Sequence, residues 1–168
     1  MACEIQKSRA KAFDAGQGAA GSVIVRAVRL GDAEAWQGMR DALWPDGIAG
    51  HATDIQKFFN NTSTHRGAVF VAEQGGALAG FVELSLRAYA EGCDSSPVAY
   101  LEGWYVAPDA RRSGVGRALL RAAEEWGRSQ GCTEFASDAE AENTASADAH
   151  RACGFEDVSL IRCYKKRL

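Results

Sequence analysis

The sequence predicts a mixed α/β fold, in which one mostly antiparallel sheet carries helices on both faces. Three strand-like segments follow one another after the first helices, which favours antiparallel neighbours. A β-α-β-α-β succession then completes the chain. The 168 residues are enough for one domain with its own core, and no apolar run approaches the roughly 18 residues of a membrane span.

The first half of the predicted sheet comes from segments with alternating apolar and polar residues. Val23–Arg29 alternates as a strand, and Asp32 is placed to cap a helix over residues 33–43. A second helix is expected at about 52–60. The glycine pair 75–76 is typical of a hairpin turn. The predicted strands around it and after it cover residues 68–73, 77–87 and 98–106.

The second half contains the strongest helical pattern of the chain. Apolar residues recur at helical spacing over Gly114–Gln130. A short strand at Thr133–Ser137, a helix at Asn143–Ala152 and a final strand at Phe155–Tyr164 are expected to follow. Gly103, inside the preceding strand, predicts a bulge or a close approach of another group.

Composition restricts the classes of function. We expect residues 1–22 to be a disordered leader and residues 23–168 to form a single domain. Five cysteines without metal-site spacing predict no metal site and indicate a reducing compartment. A formal charge of −3 and a pI near 5.6 argue against nucleic acid as a partner.

The segment R-R-S-G-V-G at residues 111–116 lies between a predicted strand and the strongest helix. The first N–H groups of a helix have no internal partner and lie at the positive end of its dipole, so a phosphate fits there. Glycines let a phosphate approach the backbone, and arginines add charged contacts. The segment is neither a P-loop nor a G-x-G-x-x-G fingerprint.

The stretch YLEGWYVAPDARRSGVGRALLRAAEEWGRSQG resembles the acetyl-CoA-binding motif of the GNAT superfamily of N-acetyltransferases. ENTASADAHRACGFE resembles the next motif of that family, and the resemblance covers residues 24–168. It implies a sheet splayed between two parallel strands, with acetyl-CoA as co-substrate. The cofactor-binding residues that it implies are Trp104, Tyr105, Val106, Arg111, Arg112, Ser113, Gly114, Val115, Gly116, Arg117 and Asn143.

Further segments resemble the compact bacterial aminoglycoside 6′-N-acetyltransferases. They are LWPDG, RAYAEGCDSSPVAYLEG, CTEFASD and HRACGFE. This resemblance implies that Trp44, Tyr89, Glu102 and Asp138 face an aminoglycoside antibiotic, and that the protein is a cytoplasmic homodimer. Some relatives carry a glutamate where this chain has Ser159, so no substrate contact is assigned there. The 6′ position rests on the resemblance alone.

The charge pattern agrees with two differently charged substrates. Residues 88–110 and 129–150 contain acids but neither lysine nor arginine. The arginines between them surround the phosphate turn: Arg111, Arg112, Arg117, Arg121 and Arg128. Acidic segments suit a polycationic amino sugar, and the basic segment suits the phosphates of CoA. Chance clustering on solvated loops is the alternative interpretation.

Acetyl transfer requires a neutral amine, whereas an alkyl ammonium has a pKa of about 10. We expect Asp138 to be the nearest partner of the reacting amine, with Glu102 supporting it, either as a base or by orienting the ammonium. A backbone N–H near Val106 is a candidate oxyanion donor. His150 stands where many relatives carry a tyrosine that protonates the leaving thiolate; it either donates this proton or only frames the sulfur.

No cysteine is placed as a nucleophile, so direct transfer in a ternary complex is expected. Two further hypotheses remain open. One is an acetyltransferase for a polyamine, an amino acid or a protein N-terminus. The other is a CoA-binding sensor without catalysis, which would bind CoA without releasing thiol.

Overall fold

The computed structural model describes residues 13–14, 22–63 and 67–167. Its sheet runs in the order of the sequence, from β1 to β6. Neighbours from β1 to β5 are antiparallel, and β5 and β6 are parallel, so the predicted mixed and mostly antiparallel sheet is confirmed. The strands are β1 (Phe13–Asp14), β2 (Ile24–Ala27), β3 (Ala68–Gln74), β4 (Ala77–Arg87), β5 (Val98–Val106) and β6 (Phe135–Ser137).

Helices cover both faces of the sheet, as the alternation of apolar residues in its strands requires. Phe81 of β4 packs with Trp36 and Ile55 on one face, whereas Val82 packs with Leu119 on the other. Successive strand residues point to opposite faces, so β4 serves both cores at once. The helices are α1 (Ala33–Leu43), α2 (Ile48–Phe59), α3 (Val115–Ser129) and α4 (Thr144–Ala152). The first core belongs to α1 and α2, and the second belongs to α3.

A bulge interrupts β5 where Gly103 predicts one. Glu83 pairs with Gly103, but the next residue, Leu84, pairs with Leu101, so Glu102 is the extra residue. As a result Leu101 and Trp104, three residues apart, both pack in the core of α3. A regular strand would place them on opposite faces.

The parallel pair of strands separates after a short contact. Pairing joins residues 99–101 of β5 to residues 135–137 of β6 and ends there. Residues 102–106 of β5 continue without a strand beside them on that side, as far as the described chain extends. The predicted splay is therefore present, and it starts at Leu101 and Ser137.

The predicted final strand over Phe155–Tyr164 is wrong. The chain there forms no regular element, and the side chains of Leu160 and Tyr164 are 88% and 89% exposed. An alternating sequence becomes a strand only where a sheet edge is available to satisfy its backbone. Among the described residues, no strand pairs with this segment.

The predicted leader over residues 1–22 falls almost entirely outside the described residues. Phe13 and Asp14 are described as backbone, which pairs with Val25 and Ile24 of β2. In the described ranges, no helix combines the length and apolar character needed to cross a membrane. The same ranges contain no cluster of three or more side chains suited to a metal ion.

Candidate active site

A cavity of about 780 Å³ opens on the face of the sheet that carries α1 and α2. This volume lies within the range that accommodates small organic ligands. Trp44 and Glu102, two of the predicted substrate residues, line it. Its other charged or titratable lining residues are Arg40, His51, Asp54, Lys57 and Glu83.

Glu83 and Arg40 form a buried ion pair in the wall of this cavity. Arg40 Nη1 donates to both carboxylate oxygens of Glu83 at 2.9 and 3.0 Å, and Trp36 Nε1 donates to Oε1 at 2.9 Å. Burial raises the pKa of Glu83, although Arg40 and Trp36 both favour the charged form. Because this carboxylate is already bonded to Arg40 and Trp36, it forms part of the cavity wall and is not available to bind a ligand.

Trp44 reaches the cavity because β5 carries no side chain opposite it. A Cβ atom on Gly103 would clash with the Trp44 ring. The same indole lies under the Arg40 guanidinium, 5.1 Å from its carbon to the ring centroid. Gly103 therefore accounts for both features predicted at this position, the bulge and the close approach.

Glu102 lies at the junction of the cavity and the splay, held by residues of β4. Arg87 Nη2 donates to Glu102 Oε2 at 2.7 Å and Arg87 Nε donates to Oε1 at 3.0 Å. The Ser85 hydroxyl also donates to this carboxylate. Because Glu83, Ser85 and Arg87 alternate along β4, all three point to the face that carries the cavity.

Asp138 follows β6 directly and is linked to this group through a tyrosine. The Tyr100 hydroxyl donates to Asp138 Oδ1 at 2.9 Å. The Arg87 guanidinium carbon lies 3.3 Å from the centroid of the Tyr100 ring. Burial, followed by the hydrogen bond to Asp138, raises the pKa of the Tyr100 phenol, so it remains a proton donor at neutral pH.

Tyr89 is the predicted substrate residue that the structure does not bring to the cavity. Its side chain is 68% exposed in the loop after β4, and it is absent from the cavity lining. Its placement leaves the prediction of a substrate contact without support in the free protein.

The predicted phosphate turn forms a tight loop ahead of α3. Arg112 and Gly114 both have positive φ angles, 62° and 93°, and α3 begins at Val115. The Gly114 position has open space where a Cβ would lie. A Cβ on Gly116 would lie 3.0 Å from Trp104 Cζ2. Gly114 is thus required by the backbone, and Gly116 by the packing of Trp104.

Several features of this end of the sheet fit a CoA ester. The open stretch of β5 offers backbone hydrogen-bonding groups to an extended pantetheine arm. The buried Trp104 Nε1 has no hydrogen-bond partner among the described residues. An unpaired buried donor is unfavourable without a partner, so this N–H is available to a ligand acceptor. Arg111, Arg112 and Arg117 are exposed around the turn, where CoA phosphates would lie.

His150 lies on α4 beneath the splay, against Trp104 and Phe155. Its Nδ1 is 2.8 Å from the Ser146 carbonyl oxygen and its Nε2 is 3.0 Å from the Ser137 hydroxyl. A carbonyl oxygen only accepts hydrogen bonds, so Nδ1 carries a proton. The Ser137 hydroxyl lies within hydrogen-bond distance of both Nε2 and the Leu101 carbonyl oxygen, the latter at 3.3 Å. The imidazole is thereby joined to the residue at which the two parallel strands separate.

Comparison with known proteins assigns the family. Residues 36–155 match the model of the acetyltransferase (GNAT) family. The chain belongs to the GNAT acetyltransferase family. Two curated relatives of this GNAT domain are named aminoglycoside N(6′)-acetyltransferase type 1. The one from Klebsiella aerogenes is 51% identical over 150 residues, which are 88% of this chain and 98% of the relative. The one from Stenotrophomonas maltophilia is 42% identical over 89% of this chain and 96% of its own length.

Solved structures show the same GNAT fold. The aminoglycoside acetyltransferase AAC(6′)-Iy in complex with a CoA-acetylneamine bisubstrate analogue has a TM-score of 0.80 and 38% identity. That match covers 87% of this chain and 99% of the solved one. AAC(6′)-Ih from Acinetobacter baumannii has a TM-score of 0.78 and 31% identity, over 87% and 99% of the two chains. The resemblance to GNAT acetyltransferases and the fold that it implies are confirmed.

Some acidic residues of the GNAT domain hold the structure together. Glu134 accepts from the backbone N–H groups of Asp94 and Ser95, at 3.0 Å and 2.6 Å to Oε2. Hydrogen bonding from Ser95, followed by that from Asp94, lowers the pKa of the Glu134 carboxyl. Asn143 caps α4 by accepting from Ser146 N–H at 3.0 Å. Glu134 therefore stabilises the loop before β5, and Asn143 stabilises the N-terminus of α4.

The basic and aromatic residues that hold the carboxylates of the GNAT site were not predicted from the sequence. Arg40 holds Glu83, which was not predicted either, Arg87 holds Glu102, and Tyr100 holds Asp138. A signal existed in E-L-S-L-R at residues 83–87, since alternation alone places its three polar side chains on one face. Residues 88–110 contain neither lysine nor arginine, but Arg87 lies one residue before this segment.

Proposed function

We propose that this chain is an acetyl-CoA-dependent aminoglycoside 6′-N-acetyltransferase that confers resistance by direct transfer in a ternary complex. The proposal is based on two neighbouring carboxylates, those of Glu102 and Asp138. They lie where the cavity meets the splay of the two parallel strands. An amine held there would face the carbonyl of a thioester held along β5. The names of the curated relatives and the bisubstrate complex support the substrate and the co-substrate.

The cavity and the phosphate turn bind different substrates. Trp44 and Glu102 contact the amino sugar, and the Arg112–Arg117 turn holds the CoA pyrophosphate. The open backbone of Trp104–Val106 holds the pantetheine arm, with the Trp104 N–H as an added donor. Carboxylates and an indole face suit an amine-bearing sugar ring.

Asp138 is the nearest partner of the reacting ammonium. The substrate ammonium must lose a proton before its nitrogen carries a lone pair, and a carboxylate favours its correct orientation and accepts the proton directly or through water. The nitrogen then attacks the thioester carbonyl, whose oxygen becomes an oxyanion near the Val106 backbone. The Tyr100 hydroxyl keeps Asp138 in one orientation throughout.

His150 supplies the proton that the leaving thiolate needs when the C–S bond breaks. Nδ1 is held by the Ser146 carbonyl oxygen and Nε2 lies 3.0 Å from the Ser137 hydroxyl. When Nε2 also carries a proton, it donates that proton to the Ser137 oxygen, and the serine passes its own hydroxyl proton to the thiolate; the imidazole is left neutral with its proton on Nδ1. No described cysteine lines the cavity, and burial raises the pKa of the Cys93 and Cys132 thiols. A neutral thiol is a poor nucleophile, which supports direct transfer over an acetyl-enzyme.

The proposal is tested with substrate pairs that differ at one group. Purified protein is assayed for thiol release from acetyl-CoA with an aminoglycoside that carries a 6′-amine and with its 6′-hydroxyl analogue. We expect turnover with the aminoglycoside that carries the 6′-amine and none with its 6′-hydroxyl analogue. NMR of the product should show the acetyl group on the 6′-nitrogen. Faster turnover of a polyamine, an amino acid or a peptide N-terminus would replace this assignment with another acetyltransferase. Binding of acetyl-CoA without thiol release would support a sensor.

We also propose that the single acetyltransferase domain spans residues 23–168 and acts as a cytoplasmic homodimer. Exposed apolar side chains on the segment after α4 support self-association: Val158, Leu160, Ile161 and Tyr164. Four described cysteines are free thiols, which supports a reducing compartment. Sedimentation equilibrium at micromolar concentration tests the dimer, and a monomer mass would overturn it.

A further inference from the structure

Arg87 occupies a cation-binding position inside the proposed active site. Its guanidinium makes two hydrogen bonds to the Glu102 carboxylate, at 2.7 and 3.0 Å. Its central carbon lies 3.3 Å from the centroid of the Tyr100 ring. The hydroxyl of that ring is bonded to Asp138. Burial lowers the pKa of Arg87, but the hydrogen bonds and charge of Glu102, with a smaller contribution from Asp138, raise it above its ordinary value.

The groups around this guanidinium are those that bind an ammonium ion. A carboxylate on one side, an aromatic face on the other and a second carboxylate nearby attract a cation by charge and by the ring quadrupole. The site remains open to solvent, since the side chains of Arg87 and Glu102 are 40% and 28% exposed. Exposed ion pairs are weak, so another cation in solution competes for the position.

We propose that Arg87 is a resident cation that fills the ammonium site of the free enzyme and sets the minimum charge of an accepted substrate. The inference rests on the proposed acetyltransferase function and deepens it. An incoming amine reaches Glu102 only by displacing the guanidinium. A singly charged amine replaces one cation with another and gains little. A polycationic substrate places further ammonium groups in the rest of the cavity and gains contacts that the guanidinium does not offer.

This competition has a simple quantitative form. If the guanidinium occupies the site in nine of ten molecules, the apparent affinity for any amine falls about tenfold relative to the open site. A substrate with several charges has further contacts that offset this loss, whereas a monoamine has none. Because every amine that binds Glu102 displaces the guanidinium, its removal is expected to strengthen monoamine and aminoglycoside binding by the same factor.

The test compares the wild type with Arg87→Gln and Arg87→Ala. Arg151→Gln is the matched control, because Arg151 pairs with Asp148 and Asp157 and is 53% exposed. Binding of a monoamino sugar and of an aminoglycoside is measured by calorimetry without acetyl-CoA. We expect Arg87→Gln to strengthen the binding of both amines about tenfold, so that the monoamine, which has no other ionic contacts, becomes a detectable ligand. The Arg151→Gln variant should match the wild type.

A second measurement uses free guanidinium ion as a probe of the vacated position. Millimolar guanidinium chloride is expected to compete with the aminoglycoside in Arg87→Ala and to leave the wild type unaffected. Melting curves at the same concentrations show whether the variants remain folded. Weaker binding of both amines to Arg87→Gln, with no guanidinium competition in Arg87→Ala, would mean that Arg87 only positions Glu102. Because these readouts need no turnover, they are separate from failure of the transferase assignment.

Discussion

Replacement of Asp138 by asparagine distinguishes the catalytic contribution of this carboxylate from its contribution to stability. Asparagine has nearly the same shape, and its Oδ1 still accepts from the Tyr100 hydroxyl, a bond of 2.9 Å in the native protein. The bond loses its charged acceptor, which lowers the free energy of unfolding by about 1 kcal/mol. For a domain of this size, that corresponds to a Tm shift of about 2–4 °C. The protein should remain folded at 25 °C.

The effect on catalysis is expected to be much larger. A charge-assisted hydrogen bond to the substrate ammonium contributes about 1.5–3 kcal/mol, so its loss lowers kcat/KM by about 10- to 150-fold. Loss of a general base would lower the rate by about 10²- to 10⁴-fold. We therefore expect a fall of about 10² or more in kcat/KM for the aminoglycoside, with acetyl-CoA binding retained.

Steady-state thiol release and thermal stabilisation by acetyl-CoA measure the two effects on the same samples. Asp148→Asn is the matched control, because Asp148 on α4 is 78% exposed and pairs with Arg151 at 3.2 Å. Drug susceptibility of bacteria that express each variant gives an independent readout. A kcat/KM within about threefold of the wild type would refute the assigned role of Asp138.

Three further predictions follow from contacts elsewhere in the domain. Gly116→Val should weaken stabilisation by CoA and lower the Tm even without CoA, because a Cβ there would lie 3.0 Å from Trp104 Cζ2; unchanged melting would contradict this packing. His150→Gln should lower kcat about 10²-fold, with a change of less than about threefold in the KM for acetyl-CoA, and an unchanged kcat would leave His150 a framing role. Arg26 lowers the pKa of Asp32 through a 2.7 Å bond, so this pair stabilises the fold above about pH 4 and loses its effect as the pH falls further. Asp32→Asn should therefore lower the unfolding free energy by about 1.5–3 kcal/mol at pH 7, with a smaller difference from the wild type in urea titrations at pH 3.

The sequence predicted features that depend on neighbours along the chain. The hairpin at residues 75–76, the turn before α3 and the bulge at Gly103 all arise from glycines and local alternation. The family resemblance added the positions of Asp138 and Glu102. The roles of these two carboxylates stay predictions, whereas the hairpin, the turn and the bulge were predictable because a few adjacent residues determine the backbone conformation.

Features that depend on pairing between distant segments were harder to predict. Arg87 meets Glu102 across 15 positions, and Arg40 meets Glu83 across 43. Neither partner is evident before the register of the strands is known. The prediction of a final strand is wrong for a related reason. The alternation of Phe155–Tyr164 does not show whether the edge of a sheet is available to pair with it. Tyr89 was placed by resemblance, and its exposure depends on the loop around it.

The bulge at Glu102 divides β5 into two segments with separate tasks. Residues 99–101 keep register with β6, which Asp138 follows directly, while residues 103–106 leave their backbone open on that side. The additional residue absorbs a change of register between them. Because the bulge already separates the registers of the two segments, a substitution in one of them is accommodated without realigning the other.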